Sequence, residues 1–435
     1  MMNTPSVNRP RVAIVGTGIS GLGCAYLLRH HAQLTLFEKG DHIGGHTHTV
    51  EVTEPGSGRP CPVDTGFMVY NEVTYPRLTR LFRELGVESK PTDMSFSVSH
   101  EDTGIEYRGS DLNTLFAQRL NLLRPRYWRL LLAIHRFNAD AARDRNDPAL
   151  MTLTLEDYVR RGRYGDDFLN LYLVPMSSAV WSTPPDMMLR FPAATLLRFF
   201  HNHGFLGLHT QHPWRTLCGG SRTYVAKILA ALGLEPSAVR EGAVRVSRPA
   251  SGGATVHTVS GQSLHFDHVV LAAHADESLA LLESPTGAEE RLLGEFRYRD
   301  NAVVLHTDAS VMPRTPRARA SWNYAVRRDA DGTVRSATHY WMNSLQGVSD
   351  REQYFVTVNP PDRLDPAKVL RRFDYAHPLF TLGALRAQPH LLSLNRSAPG
   401  QPVLFCGSYF RYGFHEDGLL AAEDAARALL GREPW

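Results

Sequence analysis

Residues 11–38 read RVAIVGTGISGLGCAYLLRHHAQLTLFE, and their pattern decides the fold. VAIV at 12–15 is a short apolar run, the kind that forms a strand buried on both faces of a parallel sheet. Gly16, Gly18 and Gly21 follow at GxGxxG spacing, and residues 22–29 continue with helix-like apolar periodicity. The first glycine permits a tight turn, the second lets backbone approach a pyrophosphate, and the third brings helix against strand. Amides at the helix start, around Ile19 and Ser20, are then free to hold an anion. LTLF at 34–37 is a second strand, closed by Glu38 about 20 residues past the glycines, where an acid can bind ribose hydroxyls. Strand, glycine turn, helix, strand and acid in that order distinguish the motif from an ordinary glycine turn.

Residues 39–49, KGDHIGGHTHT, separate FAD from NAD. The Gly44-Gly45 pair, with Lys39, His46 and Thr47 around it, is typical of flavoproteins, where a second loop packs on the phosphates and the ribityl chain. On these residues the chain resembles the flavin-dependent amine oxidase superfamily, which also contains carotenoid desaturases and protoporphyrinogen oxidases. It is similar in particular to a bacterial branch related to the oxidase-like domain fused to plant cyclopropane fatty acid synthases.

The resemblance implies an α/β protein like the amine oxidases and p-hydroxybenzoate hydroxylase. A Rossmann-like FAD domain, its parallel sheet joined by a β-meander, would comprise residues 1–82, 213–290 and 396–435. An α+β substrate domain with a mixed or antiparallel sheet would take 83–212 and 291–395. Residues 61–71 (CPVDTGFMVYN) would pass the flavin ring, the GG turn at 219–220 would lead the chain back to the FAD domain, and backbone at Val244 would meet the adenine. Near the C-terminus a strand at 403–406 leads to Gly407-Ser408 and then to YGFHEDGL at 412–419. In the family this last helix aims its start at the pyrimidine edge, where backbone donors stabilise the negative charge that reduction creates. Asp417, Gly418 and Leu419 are expected to supply those donors, with Phe414 and His415 nearest the reacting face. Cys406 stands where the family has a small strand residue, which implies non-covalent FAD.

Composition narrows the functions further. The 435 residues are 43% hydrophobic and 21% charged, enough for two domains with sizeable cores. Lys plus Arg total 47 against 44 acids, so no global field points to nucleic acid. Cys24, Cys61, Cys218 and Cys406 are scattered without a CxxC, which suits a reducing cytosol. Residues 1–10 are polar, unlike a signal peptide, and no run approaches the length of a membrane span.

Residues 76–86 read as an amphipathic helix ending at glycine, and 94–98 as a strand. Residues 108–165 read as helical and rich in arginine, with Arg119, Arg124, Arg126, Arg129, Arg136, Arg143 and Arg145 around YWRLLLAI at 127–134. Such a segment either lies at a membrane interface or is a surface helix whose long side chains cover the core. Apolar stretches at 171–183 and 191–214 suggest helices lining a hydrophobic cavity; they carry His201, His203, His209 and His212, but no cysteine and few acids, so no metal site is expected. Residues 243–246, 254–259 and 265–273 read as the meander, and 302–306, 320–324 and 338–342 as antiparallel strands. Tyr324, Tyr340 and Trp341 on the latter are either cavity walls or core fill.

Two departures from the family bear on the substrate. Amine oxidases often guide the amine with paired aromatic residues, commonly tyrosines, and here the matching C-terminal position carries Phe414. They also commonly place a lysine near flavin N5, yet none occurs between Lys227 and Lys368. An FAD-dependent oxidoreductase taking a hydride from an apolar, fatty-acyl or other lipid substrate is therefore expected, with His415, Tyr70 or water removing the proton and Trp341 at the ring. A flavin-dependent double-bond isomerase, a non-catalytic lipid-binding partner of a fatty-acid-modifying enzyme, and a true amine oxidase are the alternatives. The expected location is cytoplasmic, with peripheral contact to the inner membrane face left open.

Overall fold

In the computed structural model, strand Arg11–Val15 lies between Gln33–Phe37 and His268–Leu271, with Val403–Phe405 beyond, all parallel. Residues 9–207, 210–328, 331–396 and 401–435 are described; residues 1–8 and His209 fall outside them. The parallel sheet thus gathers strands from three distant stretches of sequence. Arg11–Val15, His268–Leu271 and Val403–Phe405 are apolar along nearly their whole length because both faces are covered, whereas the edge strand Gln33–Phe37 is buried only at Leu36 and Phe37. Helix Ile19–Leu28 has every residue buried, since helix His415–Leu430 crosses it. A β-carbon on Gly23 would lie 2.6 Å from Leu419 Cδ1, so glycine permits that crossing. The meander Ala243–Ser247, Ala254–Thr258 and Ser263–Phe266 packs alongside, with Phe266 edge-on to Phe37 at 5.9 Å.

A second sheet of seven strands runs in the order Val369–Leu379, Arg297–His306, Phe355–Val358, Val334–Trp341, Trp322–Arg328, Phe96–His100, Ile105–Arg108. It is antiparallel except where Trp322–Arg328 runs parallel to Phe96–His100, so the sheet is mixed. The expected strand at 94–98 begins two residues later, at Phe96. Helices cover one side of this sheet. Helix Pro125–Asp144 opens with proline, whose missing N–H costs nothing at a helix start, and buries Tyr127, Leu130, Phe137 and Ala141 along one stripe. Trp214, expected in the helical region, instead opens strand Trp214–Leu217, which pairs with Tyr70–Asn71 and Ser89–Thr92.

One buried carboxylate joins the parts. Asp64 accepts from the Ser221 amide at 2.9 Å, the Ser221 hydroxyl at 2.7 Å, Thr49 Oγ1 at 2.5 Å and Gln346 Nε2 at 2.6 Å. Burial pushes its pKa up, and these donors offset part of that cost. They tie hairpin Thr49–Thr53/Pro60–Asp64 to the GG turn and to the seven-stranded side of the molecule.

Candidate active site

A single cavity of about 880 Å³ runs from the glycine turn to an aromatic chamber between the two sheets. At its first end Gly16 adopts φ +102° and packs on the Ala272 carbonyl, where a β-carbon would lie 2.8 Å away. Gly21 sits equally tight, its β-carbon position 1.9 Å from the Gly16 carbonyl oxygen. Gly18 is the opposite case. Nothing lies within 4 Å of its β-carbon position, and it faces the cavity with Ile19 and Ser20. No side chain caps this helix, so its first amides remain available to a phosphate. Gly45 closes from above, its β-carbon position 3.1 Å from Gly18 Cα, and Gly44 lies beside it.

Glu38 stands at the end of its strand, accepting from the Thr17 amide at 2.9 Å and the Gly40 amide at 2.8 Å. The Thr17 hydroxyl is a third donor, so of a carboxylate's roughly four acceptor positions about one remains for a ribose hydroxyl. Lys39 pairs with Glu277, and both line the cavity. Val244, Ala280 and Leu281 form an apolar slot further out, suited to a flat base. Phosphate cradle, ribose acid and slot follow one another in the order of an adenine dinucleotide, so the residues present fit FAD. His46 adds a second sign: its Nε2 is buried in the cavity lining and makes no hydrogen bond within the protein, as expected of a group satisfied by a ligand. Burial, and then the nearby His377, His274 and His415, hold its pKa well below that of ordinary histidine.

At the other end the chain offers a ring-sized chamber. Gly407 and Ser408 line the passage to it. His415 stacks on Phe67 at 3.8 Å between ring centres, and its Nε2 lies 3.0 Å from Thr47 Oγ1. Burial pushes the His415 pKa down to about 3, so the imidazole is neutral and a weak base. Phe414 stacks on Phe199 at 5.0 Å, and Trp181, 6.0 Å away, donates its indole N–H to the Tyr412 carbonyl. Met94, Phe96, Met176, Trp322 and Tyr340 continue the wall. Among the lining residues the carboxylates are Glu38, Glu277 and the exposed Asp374, and Lys39 is the lone lysine.

Several expected site residues lie elsewhere. Tyr70 does not reach the cavity: its strand pairs with Trp214–Leu217, which turns the ring onto Tyr75 and Phe82 and its hydroxyl to Ser89. Tyr75 lines the chamber instead. Trp341 faces away, packing beside Val304 and Phe355 with its indole N–H on Gln353 at 2.6 Å. Strand parity is the reason, since the adjacent Tyr340 takes the inward side. Tyr324 shares the inward side with Trp322 but is covered by Ala179, so it is core. Thr47 holds His415 and Tyr224 rather than lining the cavity.

The donor assignment at the last helix also shifts. Its N-cap is Phe414, whose amide donates to Asp417 Oδ2 at 3.0 Å, and the Gly418 amide bonds the Phe414 carbonyl at 3.0 Å. Gly418 and Leu419 therefore lie inside the helical ladder, and the amides without intrahelical partners are those of His415, Glu416 and Asp417. Gly418 is needed for packing: a β-carbon there would lie 2.8 Å from Ser20 Oγ and 2.9 Å from Ile19 Cγ2. In the histidine-rich segment His203 Nδ1 bonds the Phe199 carbonyl and His212 Nε2 the Asn202 carbonyl; among the described residues no cluster of three metal-ligating side chains occurs.

Phe67, Trp322, His274 and His377 line the cavity without having been singled out in the sequence. Phe67 lies in the 61–71 segment, where an aromatic before the strand was the available signal. Trp322 faces Tyr340 directly across its strand pair, a relation visible only once the register is known.

Comparison with known proteins agrees with this architecture. A cyclohexylamine oxidase from Brevibacterium oxydans IH-35A superposes with a TM-score of 0.67 at 17% identity, covering 97% of this chain and 99% of that one. A putrescine oxidase bound to putrescine gives 0.66 at 15% identity, over 98% and 99% of the two chains. A CLA-producing fatty acid isomerase from P. acnes gives 0.65 at 16% identity, over 95% and 97%. At such identities the likeness is one of fold. No protein of curated function matches in sequence. The model of the flavin-containing amine oxidoreductases, however, matches residues 19–430, spanning the glycine-turn helix, the aromatic chamber and the last helix; the chain belongs to that family, and FAD is its cofactor.

Proposed function

We propose that this FAD oxidoreductase acts on an apolar substrate, a fatty-acyl chain or another lipid, removing a hydride from an activated carbon. The observation that supports this reading is the chamber wall. Phe67, Met94, Phe96, Met176, Phe199 and Trp322 carry no charge, and strand Arg297–His306 presents Val303, with no lysine on the wall. Apolar walls with few polar groups suit an apolar ligand.

Bound non-covalently, FAD supplies the hydride acceptor. None of the four cysteines lines the cavity, and burial holds the Cys406 thiol far above its ordinary pKa, which disfavours a thioether. The protein's share is to exclude bulk water, hold the carbon chain between Phe96, Met176 and Phe414, and turn the start of the last helix, where Phe414 and His415 line the cavity, toward developing negative charge. His415, neutral and fixed by Thr47, positions this helix start; as a weak base it leaves the proton lost with the hydride to a water molecule admitted to the chamber.

Anaerobic mixing of the yellow protein with long-chain unsaturated fatty acids, their thioesters and aliphatic amines tests the reading. Bleaching at 450 nm by an acyl compound and by no amine supports it; bleaching by amines alone overturns it. Double-bond migration without bleaching, in the absence of any electron acceptor, would support the isomerase reading, which the fold shared with a fatty acid isomerase keeps in view.

A further inference from the structure

Between residues 112 and 132 the surface turns apolar side chains outward in a concentration unmatched among the described residues. Leu112 is 69% exposed, Leu120 67%, Leu123 82% and Leu132 65%, and Leu122 and Trp128 are also open. Exposed large apolar residues elsewhere are scattered singly. The buried stripe of helix Pro125–Asp144 already covers the core, so Trp128 and Leu132, one turn apart on another side of the helix, keep an exposed apolar face. The turn Arg119–Leu123 adds Leu120, Leu122 and Leu123.

This surface is held in shape. The Trp128 indole N–H donates to the Leu122 carbonyl at 2.9 Å, and its ring lies 5.4 Å from Phe116. Arg119 bonds the carbonyls of Asn113 at 3.0 Å and Phe116 at 2.8 Å, tying helix Leu112–Leu115 to the turn.

Charge identifies the occupant. Residues 112–139 contain Arg119, Arg124, Arg126, Arg129 and Arg136 and no acid, although the whole chain is nearly balanced at +3. Arg126 is offset by a two-point pair with Asp167, but the bonds of Arg119 and Arg124 run to neutral oxygens, leaving their charge uncompensated by contact. Leucines and a tryptophan ringed by exposed arginines complement a bilayer whose headgroups are anionic. A second copy of the chain would set arginine against arginine.

We propose that the face formed by Leu112, Leu120, Leu122, Leu123, Trp128 and Leu132 docks on an anionic phospholipid surface, with Arg119, Arg124 and Arg129 meeting the phosphates. Contact is peripheral, as no helix among the described residues is long and apolar enough to cross a membrane. The proposal is independent of what the flavin oxidises.

Flotation of the full chain with vesicles of phosphatidylcholine alone, or mixed with phosphatidylglycerol, provides the test. The two uncompensated arginines, Arg119 and Arg124, predict a preference for the anionic vesicles on the order of 30-fold at low salt. Leu120→Glu combined with Leu123→Glu should weaken binding by about tenfold or more, and Arg119→Gln with Arg124→Gln should erase most of the anionic preference. Leu392→Glu, at an exposed leucine elsewhere, should change nothing. Failure to float with either vesicle, or flotation indifferent to the Leu120/Leu123 pair, overturns the proposal. So does a self-associated protein that ignores vesicles and becomes monomeric on Leu123→Glu, which would make a second copy the occupant.

Discussion

Gly418 lies so close to Ser20 that a β-carbon at 418 would stand 2.8 Å from the Ser20 hydroxyl oxygen. Ser20 and Ile19 line the phosphate end of the cavity, and Phe414 and His415, one turn before Gly418, line the ring end. The packing of helix Ile19–Leu28 on helix His415–Leu430 therefore sets the distance between the two grips on the cofactor.

Gly418→Val forces these helices apart. Overpacking of this kind costs about 1–3 kcal/mol, and the variant should lose thermal stability and bind FAD roughly tenfold or more weakly. Flavin-to-protein absorbance ratios and a fluorescence titration of the apoprotein measure both. Gly407, whose β-carbon position lies 2.3 Å from Cε1 of the buried Tyr409 ring, and Gly21, whose β-carbon position meets backbone, should both lose stability on substitution by alanine.

Glu38→Ala removes the acceptor for the Thr17 and Gly40 amides together with the acid facing the ribose position. Hydrogen bonds to a charged group contribute about 1.5–3 kcal/mol, so FAD should bind on the order of 10- to 100-fold more weakly. Binding of FMN, which lacks the adenosine half, should change little. A titration with both flavins distinguishes this from general damage to the site.

Asp417 supplies the pH prediction. Burial raises its pKa to about 7, against the Phe414 amide bond and Arg411, which lower it; Glu416 adds to the rise. The folded protein therefore holds a proton that the unfolded chain has released by about pH 4. Stability from this group is present at low pH and lost as pH rises through about 7. Asp417→Asn, which keeps an oxygen for the Phe414 amide, should flatten the fall in melting temperature between pH 5 and pH 8, an interval that spans the raised pKa. Thermal melts of both proteins across that range give the comparison.

Trp341 and Tyr340 form a paired test of the cavity wall. Trp341→Phe gives up a bond to Gln353 outside the chamber and should leave flavin reduction and substrate preference unchanged. Tyr340→Ala opens the chamber and should shift the preferred acyl length while raising KM. Anaerobic stopped-flow reduction over a series of chain lengths reads both.

The same residues show what the sequence could and could not convey. Gly16, Gly18, Gly21 and Glu38 act within one strand–turn–helix–strand unit, so their spacing alone places them. Tyr70 and Trp341 depend on partners far away: Tyr70 on a strand at 214–217, Trp341 on which side of a seven-stranded sheet meets the cavity. A register error of one residue exchanges Tyr340 for Trp341. The start of the last helix was similarly hidden, because phenylalanine is a poor N-cap by side chain and only the Asp417–Phe414 bond shows where the ladder begins. The Asp64 knot, which joins Thr49, Ser221 and Gln346, has no local signature at all.

Titration of the apoprotein with FAD, FMN and riboflavin tests the two-ended grip most directly. The account predicts one FAD per chain, released intact by acid, with FMN and riboflavin bound far more weakly because Gly16–Gly21 and Glu38 hold groups those flavins lack. A protein that takes up no FAD, or binds FMN as tightly as FAD, would contradict it.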